Sequence, residues 1–294
     1  MISPTINSIQ YKIHNNQDII QATLNSGKQW DANTYELLKS IITQNKLSHF
    51  LNVGCHIGSI ALPISRHVNK ISAVEAFPKT YAHLQENIQL NNITNINTYN
   101  MALGNSHENV FFIDDSINRL KNNSGGMHVL TQRDIVENRW SANLSHKKIT
   151  VSMNRLDNVD IDNFDIMLVD IEGSEHNFLL GAHDKLMKNK PILIIELWDA
   201  KKRAEENMRV SRENTIQLLR SYGYTLKKQI DHDNFIFIHN DNLKHTNLNI
   251  PQDNSKCSVV LYINIIIMIL ALICICIAMV VIVIQKRIKP NKLN

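Results

Sequence analysis

Three runs in this 294-residue chain set small and acidic residues where an apolar strand gives way to a loop. The first is Phe50-Leu51-Asn52-Val53-Gly54-Cys55-His56-Ile57-Gly58. Gly54 permits a tight turn at the strand end, and Gly58 permits close approach to a helix N-terminus, whose free N–H groups suit a carboxylate or phosphate. A plain tight turn is the competing reading. The second run, Ile71-Ser72-Ala73-Val74, ends in Glu75-Ala76-Phe77-Pro78. A carboxylate at a strand tip about 20 residues past a glycine turn can accept both hydrogen bonds of a ribose diol. The third is Asp165-Ile166-Met167-Leu168-Val169-Asp170-Ile171-Glu172-Gly173-Ser174-Glu175. Asp170, at the strand tip, suits a general base, an anchor for a substrate hydroxyl, or a metal ligand. Glu172 and Glu175 fit the same crevice, or serve as favourable charges at the next helix N-terminus. Glu196 ends the strand Ile192-Leu193-Ile194-Ile195 and faces the crevice by the same argument. Asp170 with Glu196 offers oxygen ligands to a divalent ion; the sequence leaves the metal open. Neither a Gly-x-Gly-x-x-Gly nor a Gly-x-x-x-x-Gly-Lys run occurs.

The elements that must position these residues alternate. Strands are expected over 49–53, 70–74, 97–101, 110–113, 149–153, 164–169 and 191–197. Helices are expected over 31–47, 59–68, 78–90, 174–188 and 211–223, the last with Ser211 as N-cap and Gly223 as stop. Residues 225–230 and 234–239 read as a closing hairpin. This pattern predicts an α/β fold, mostly parallel, with a mixed edge. Residues 1–30 read as a polar lead-in. The polar stretch 115–148 holds Arg119, Arg133, Arg139 and Trp140, and is either a lid over what the crevice binds or a solvated loop.

Composition narrows the class. Gly 9 and Pro 6 exclude collagen-like and Pro-rich chains, and 20% charged with 44% hydrophobic residues excludes compositional disorder. Lys286, Arg287, Lys289 and Lys292 account for the whole net charge of +4, so a basic nucleic-acid-binding domain is not indicated. Of the four cysteines only Cys55 lies far from the C-terminal apolar run, so no disulfide framework is expected. Residues 241–257 read as a polar linker with Cys257 at its end. Residues 258–284, with Cys274 and Cys276, are uncharged and exceed the roughly 20 residues a bilayer span needs. A basic tail, 285–294, follows. No basic region and apolar run open the chain, so no signal peptide is expected. The expectation is a single-pass C-terminal tail anchor with the large domain cytosolic.

Several stretches together resemble the FkbM-type family of S-adenosylmethionine-dependent methyltransferases. They are Asn52-Val53-Gly54-Cys55-His56-Ile57-Gly58, Val74-Glu75-Ala76-Phe77-Pro78, Leu84-Gln85-Glu86-Asn87-Ile88-Gln89-Leu90-Asn91, Ala102-Leu103-Gly104, the run from Leu168 to Glu175, Leu180-Gly181-Ala182, and Pro191 to Glu196. The resemblance covers about residues 45–240, after a lead-in and helix at 1–44. It implies a Rossmann-like class I sheet with an antiparallel last strand, and methyl transfer, usually to a hydroxyl of a sugar, lipid or secondary metabolite. By position it implies that Asn52, Gly54, His56 and Gly58 border the methionine part of the cofactor, that Glu75 holds the ribose, and that Ala102 lies near adenine. It implies that Asp170 and Glu172 face the sulfonium or the acceptor, with Glu175 and Glu196 on the acceptor side. The family commonly has Asp where this chain has Asn52; Asn can still hydrogen-bond the cofactor amine. His56 is an unusual occupant, read as a solvent-facing loop residue before a cofactor contact.

The expected function is therefore a membrane-anchored O-methyltransferase acting on a glycan, lipid or small metabolite. The alternative is an inactive methyltransferase-fold interaction protein at a membrane, for which Asn52 is the motive. An RNA or protein methyltransferase is disfavoured because the chain without its tail carries no net charge.

Overall fold

A computed structural model describes residues 4–114, 123–132, 134, 147–206 and 208–245. The expected membrane span 258–284, the basic tail, Cys257, Cys274, Cys276, Arg119, Arg133, Arg139 and Trp140 lie outside the described residues. Among the described residues no helix is long and apolar enough to cross a membrane.

Five strands form the parallel heart of the fold: β3 (His49–Val53), β4 (Lys70–Val74), β5 (Ile96–Tyr99), β9 (Ile166–Val169) and β10 (Ile192–Glu196). Strands β9 and β10 and most of β3 and β4 are apolar and buried on both faces, the pattern of a covered α/β sheet, whereas β5 at the edge is only partly buried. All five residues of β3 are buried. The hairpin of β11 (Tyr224–Gln229) and β12 (Asn234–His239) completes a seven-stranded sheet of order β11-β12-β10-β9-β3-β4-β5. Strand β12 runs antiparallel to β10. The sheet is thus mostly parallel, as the alternating pattern predicts, with the antiparallel strand at the hairpin edge. The chain builds outward from β3 to β5, then crosses back to add β9 on the other side of β3. That reversal makes a crevice at the carboxyl ends of β3 and β9, the usual place for a ligand in an open sheet.

A second sheet, β6 (Ala102–Leu103), β8 (Lys147–Asn154) and β7 (Glu108–Asp114), extends the apolar interior beside β4. Phe77, Ala102, Val110, Phe112, Val151 and Met153 pack there as a separate cluster. Of the helices, α1 (Ile19–Asn25) and α2 (Ala32–Asn45) precede β3, α3 (Ala61–Ile64) follows it, and α4 (Pro78–Leu90) follows β4. After β9 come α5 (Glu175–Leu180) and α6 (His183–Asn189), and after β10 come α7 (Ala200–Glu205) and α8 (Arg212–Ser221).

Four expectations need correction. The helix expected over 59–68 is a single turn, α3. Pro63 has no N–H to give the Ser59 carbonyl, and Gln29 Nε2 donates to that carbonyl instead at 2.7 Å. Ser65 Oγ then caps Leu62 O at 2.6 Å and ends the turn. The helix expected over 174–188 is two, broken at Gly181, where the backbone rests on the Gly104 carbonyl so closely that a Cβ would lie 1.8 Å from it. The lead-in is not patternless: β1 (Thr5–Ile6) and β2 (Ile9–Gln10) form a hairpin, and α1 starts at Asp18, whose Oδ1 accepts from Gln21 N at 2.9 Å. The stretch expected as linker begins with a short helix, α9 (Asn240–His245). Asn242 Nδ2 donates to Lys190 O at 2.6 Å and fastens it to the sheet end.

Candidate functional site

Four neighbouring strands, β4, β3, β9 and β10, deliver the singled-out residues to one edge of the sheet. Their tips open on a cavity of ≈ 860 Å³. Asn52, Gly54, His56, Glu75, Ala102, Asp170, Glu172 and Glu196 all line it. Two expected residues are placed elsewhere. Gly58 lies outside the lining: its φ is +88°, and a Cβ there would meet Leu62 Cδ1 at 1.8 Å, so it serves helix packing rather than ligand approach. Glu175 is 1% exposed and turns back to its own loop, where Oε1 accepts from Ile171 N at 3.3 Å and Gly173 N at 3.0 Å.

The loop after β3 is shaped by Gly54. Its φ of +81° is open to glycine, and a Cβ would sit 1.7 Å from the Asp170 carbonyl oxygen. The β3 loop and the acidic loop after β9 therefore touch backbone to backbone, and no side chain can separate them. Glu75 closes the other side. Its Oε2 accepts from His56 N at 2.9 Å and its Oε1 from Phe77 N at 2.8 Å. Burial pushes its carboxyl up to about 7, against the pull of those backbone donors. Both oxygens retain lone pairs for a further donor.

His56 is not the solvent-facing loop residue expected. Its backbone is left-handed, φ +50°, and its Nε2 is 2.8 Å from Ser124 Oγ. Burial lowers its pKa to about 4, so the ring is neutral. Two polar atoms of β3 and the loop after it are buried with no partner among the described residues, Asn52 Oδ1 and His56 Nδ1. Residues 123–125 come from the stretch read as lid or loop, and they line the cavity. Farther along the same stretch, His128 Nδ1 donates to Glu172 O at 2.9 Å.

The far end is acidic. Asp170, Glu172 and Glu196 bring carboxylate oxygens within 4.8 Å of one another, an all-oxygen set that suits a hard divalent cation. Asp170 opens to the cavity, yet lost hydration, and then the charges of Glu196, Glu172 and Glu175, hold its carboxyl well above the ordinary range. A hydrogen bond joins it to Glu196. Two close carboxylates that cannot both ionise freely share a proton. Glu172, left-handed at φ +54°, is pushed up to about 8 by burial and then by Glu196. Glu196 is also raised by burial, opposed by Lys202 and by its hydrogen bonds to Trp198 and Asp170. Trp198 Nε1 donates to Glu196 Oε2 at 2.7 Å, and Lys202 Nζ lies 3.7 Å from Oε1 and 3.9 Å over the Trp198 ring.

Sequence reasoning missed Asp18, Ser124, His128, Trp198 and Lys202. Trp198 was within reach, standing two residues past a strand-tip Glu. Lys202 follows in the next helix, α7, while Asp18, Ser124 and His128 come from distant segments that only the fold brings near these residues.

The methyltransferase FkbM domain family matches residues 52–226. No curated protein matches the chain. Among solved structures, a methyltransferase FkbM from Methylobacillus flagellatus is similar at 15% identity and a TM-score of 0.44, over 75% of this chain and 53% of that one. This chain thus spans about half the length of that relative. The N-methyltransferase NodS from Bradyrhizobium japonicum, solved with S-adenosyl-L-homocysteine, is similar at 13% identity and a TM-score of 0.42, over 71% and 86% of the two chains. A TehB-like methyltransferase from Corynebacterium glutamicum is similar at 9% identity and 0.43, over 74% and 92%. With the family matched across more than half its length, and its motifs gathered on one cavity, the chain belongs to the FkbM methyltransferase domain family.

Proposed function

We propose that the protein is an S-adenosylmethionine-dependent O-methyltransferase, anchored to a membrane by residues 258–284, with its catalytic domain cytosolic. Its acceptor is a hydroxyl on a glycan, lipid or small metabolite. The observation that carries the reading is the division of one cavity into a polar nucleoside end at Glu75 and an acidic end at Asp170 and Glu196. The residues fit the cofactor. Glu75 has lone pairs free for a diol, Phe77 and Ala102 offer an apolar slot beside it, and Asn52 and His56 each hold a buried polar atom without a partner among the described residues. When bound, S-adenosylmethionine supplies an electrophilic methyl group.

The chain's own residues supply the rest. Positioning accounts for most of the rate in a reaction of this kind. Glu75 and the Gly54 turn fix the register of the nucleoside. The Asp170–Glu196 pair, holding one shared proton, presents an ionised oxygen that orients the acceptor hydroxyl and takes its proton. The anchor rests on the uncharged run 258–284 and its basic flank.

The test is incubation of the full chain with methyl-labelled S-adenosylmethionine and fractionated membrane lipids, glycans and small metabolites. Label in a hydroxyl of one fraction, lost in Asp170→Asn, supports the reading. Cofactor binding without transfer to any fraction supports the alternative of an inactive interaction protein. Label on nitrogen overturns O-specificity.

A further inference from the structure

A second, open cavity of ≈ 450 Å³ lies between His176 of α5 and one face of α8, two helices that pack side by side. It adjoins the first cavity: His176, Arg209 and Val210 line both. The junction is at the acidic end. His176 stands in the first turn of α5, next to Glu175. The segment leading to Arg209 rests on the acidic loop, where a Cβ on Gly173 would meet Met208 Cε at 2.6 Å. From there the groove follows α8, because Asn214, Gln217, Leu218 and Ser221 recur at helical spacing and share one face. Between Asn214 and Ser221 the helix rises about 10 Å.

The chemistry of this groove selects its occupant. Asn214 gives its Oδ1 to Ser211 Oγ at 2.6 Å and keeps both amide protons. Gln217 is exposed and offers two donors and an acceptor. Ser221 Oγ donates to Leu218 O at 2.7 Å and keeps its acceptor lone pairs. Burial, and then the charge of Arg203, lower the pKa of His176, so its ring is neutral and Arg209 is the one charge in the lining. A polyanion calls for clustered cations. An acyl chain calls for a continuous apolar wall, and here the apolar members are Val210 and Leu218 alone. A sugar ring carries hydroxyls that both donate and accept, and an apolar C–H face. Uncharged amides and a hydroxyl set around one leucine match that mixture. We propose that the acceptor is a neutral glycan chain. Its terminal unit places a hydroxyl at Asp170 and Glu196. The units behind it leave the cavity past His176 and Arg209 and lie along α8, with Asn214 and Gln217 on their hydroxyls and Leu218 against a ring face. The inference rests on the methyltransferase reading above and narrows its acceptor.

Chain length is the variable that tests it. The full chain is incubated with methyl-labelled S-adenosylmethionine and a panel of neutral oligosaccharides, built from hexoses, deoxyhexoses and N-acetylhexosamines and graded from single sugars upward. For the sugar that accepts label, kcat/KM is expected to rise about tenfold or more between the single unit and the longer chains, chiefly through KM. Replacing both groove amides, Asn214→Ala with Gln217→Ala, is expected to erase about tenfold of that preference, the scale of two hydrogen bonds. Both positions are exposed on a helix that alanine favours, so the variant should fold. Gln217→Trp, which fills the groove instead of emptying it, should lower the same ratio. Transfer that ignores chain length, or a length preference that both variants leave intact, overturns the inference and leaves the methyltransferase reading standing. So does label that enters lipids or small metabolites and no glycan, or a chain that binds S-adenosylmethionine by calorimetry and labels no member of the panel. A folded chain that takes up no S-adenosylmethionine overturns both.

Discussion

Replacing Glu175 with Gln should stabilise the protein at alkaline pH and cost about 1 kcal/mol at acid pH. Glu175 is 1% exposed, its Oε1 serves the amides of Ile171 and Gly173, and its Oε2 has no partner among the described residues. Burial, and then the charge of Glu196, raise its carboxyl from 4.5 to about 7. The sign follows from proton linkage. Between those two values the folded state binds the proton more tightly than the unfolded chain, so stability falls as pH rises through the window. With both states ionised the shift corresponds to about 3 kcal/mol against folding. Glu175→Gln keeps an acceptor at Oε1 and removes the charge. Its amide leaves one unpaired buried donor, at about 1 kcal/mol, at every pH. The gain of variant over parent should therefore grow by about 2–3 kcal/mol between about pH 5 and about pH 8. Urea unfolding of the full chain in mild detergent, followed by tryptophan fluorescence, measures it at both ends. An unchanged difference across that range would refute the reasoning, because Glu175 would then not be ionising inside the protein.

Gly54→Ala should cost about 3 kcal/mol or more, since it combines a left-handed backbone with a Cβ driven into the Asp170 carbonyl; thermal melting checks it. Ser211→Ala should cost about 1 kcal/mol, because Ser211 Oγ accepts from Asn214 N at 3.1 Å as the N-cap of α8, and chemical denaturation measures the loss. Asp170→Asn should lower methyl transfer by about 10²-fold or more while nucleoside affinity holds, a split read from single-turnover rates beside calorimetry.

Much of this fold is written locally. Strands β3 and β4 and helix α4 begin and end at the residues the apolar pattern indicates, because short buried strands between turns have little freedom in their ends. Ser211 and Gly223 bracket α8 as cap chemistry requires. What the pattern could not carry was long-range. The break at Gly181 depends on Gly104, and the short α3 depends on Gln29 supplying what Pro63 withholds. Helix α1 did leave a signal, since Asp18 with Gln21 three residues on is a capping pattern, but its apolar face is too short to show a period. At the site, Glu75 and Asp170 were legible because strand tips face the crevice in any open α/β sheet. Gly58 and Glu175 carry the same motif signal and turn away from the cavity, since a motif fixes residue types and not which way a side chain points. His56 read as solvent-facing because Ser124, its hydrogen-bond partner, and Asp18, which holds Ser124, lie 68 and 38 residues away.

The central claim is that the β3–β4 edge holds S-adenosylmethionine. Calorimetric titration of the full chain with S-adenosylmethionine, beside Glu75→Gln, tests it most directly. Micromolar binding, weakened about tenfold or more in a Glu75→Gln variant that remains folded, is the predicted result. A folded wild type that takes up no S-adenosylmethionine would contradict it.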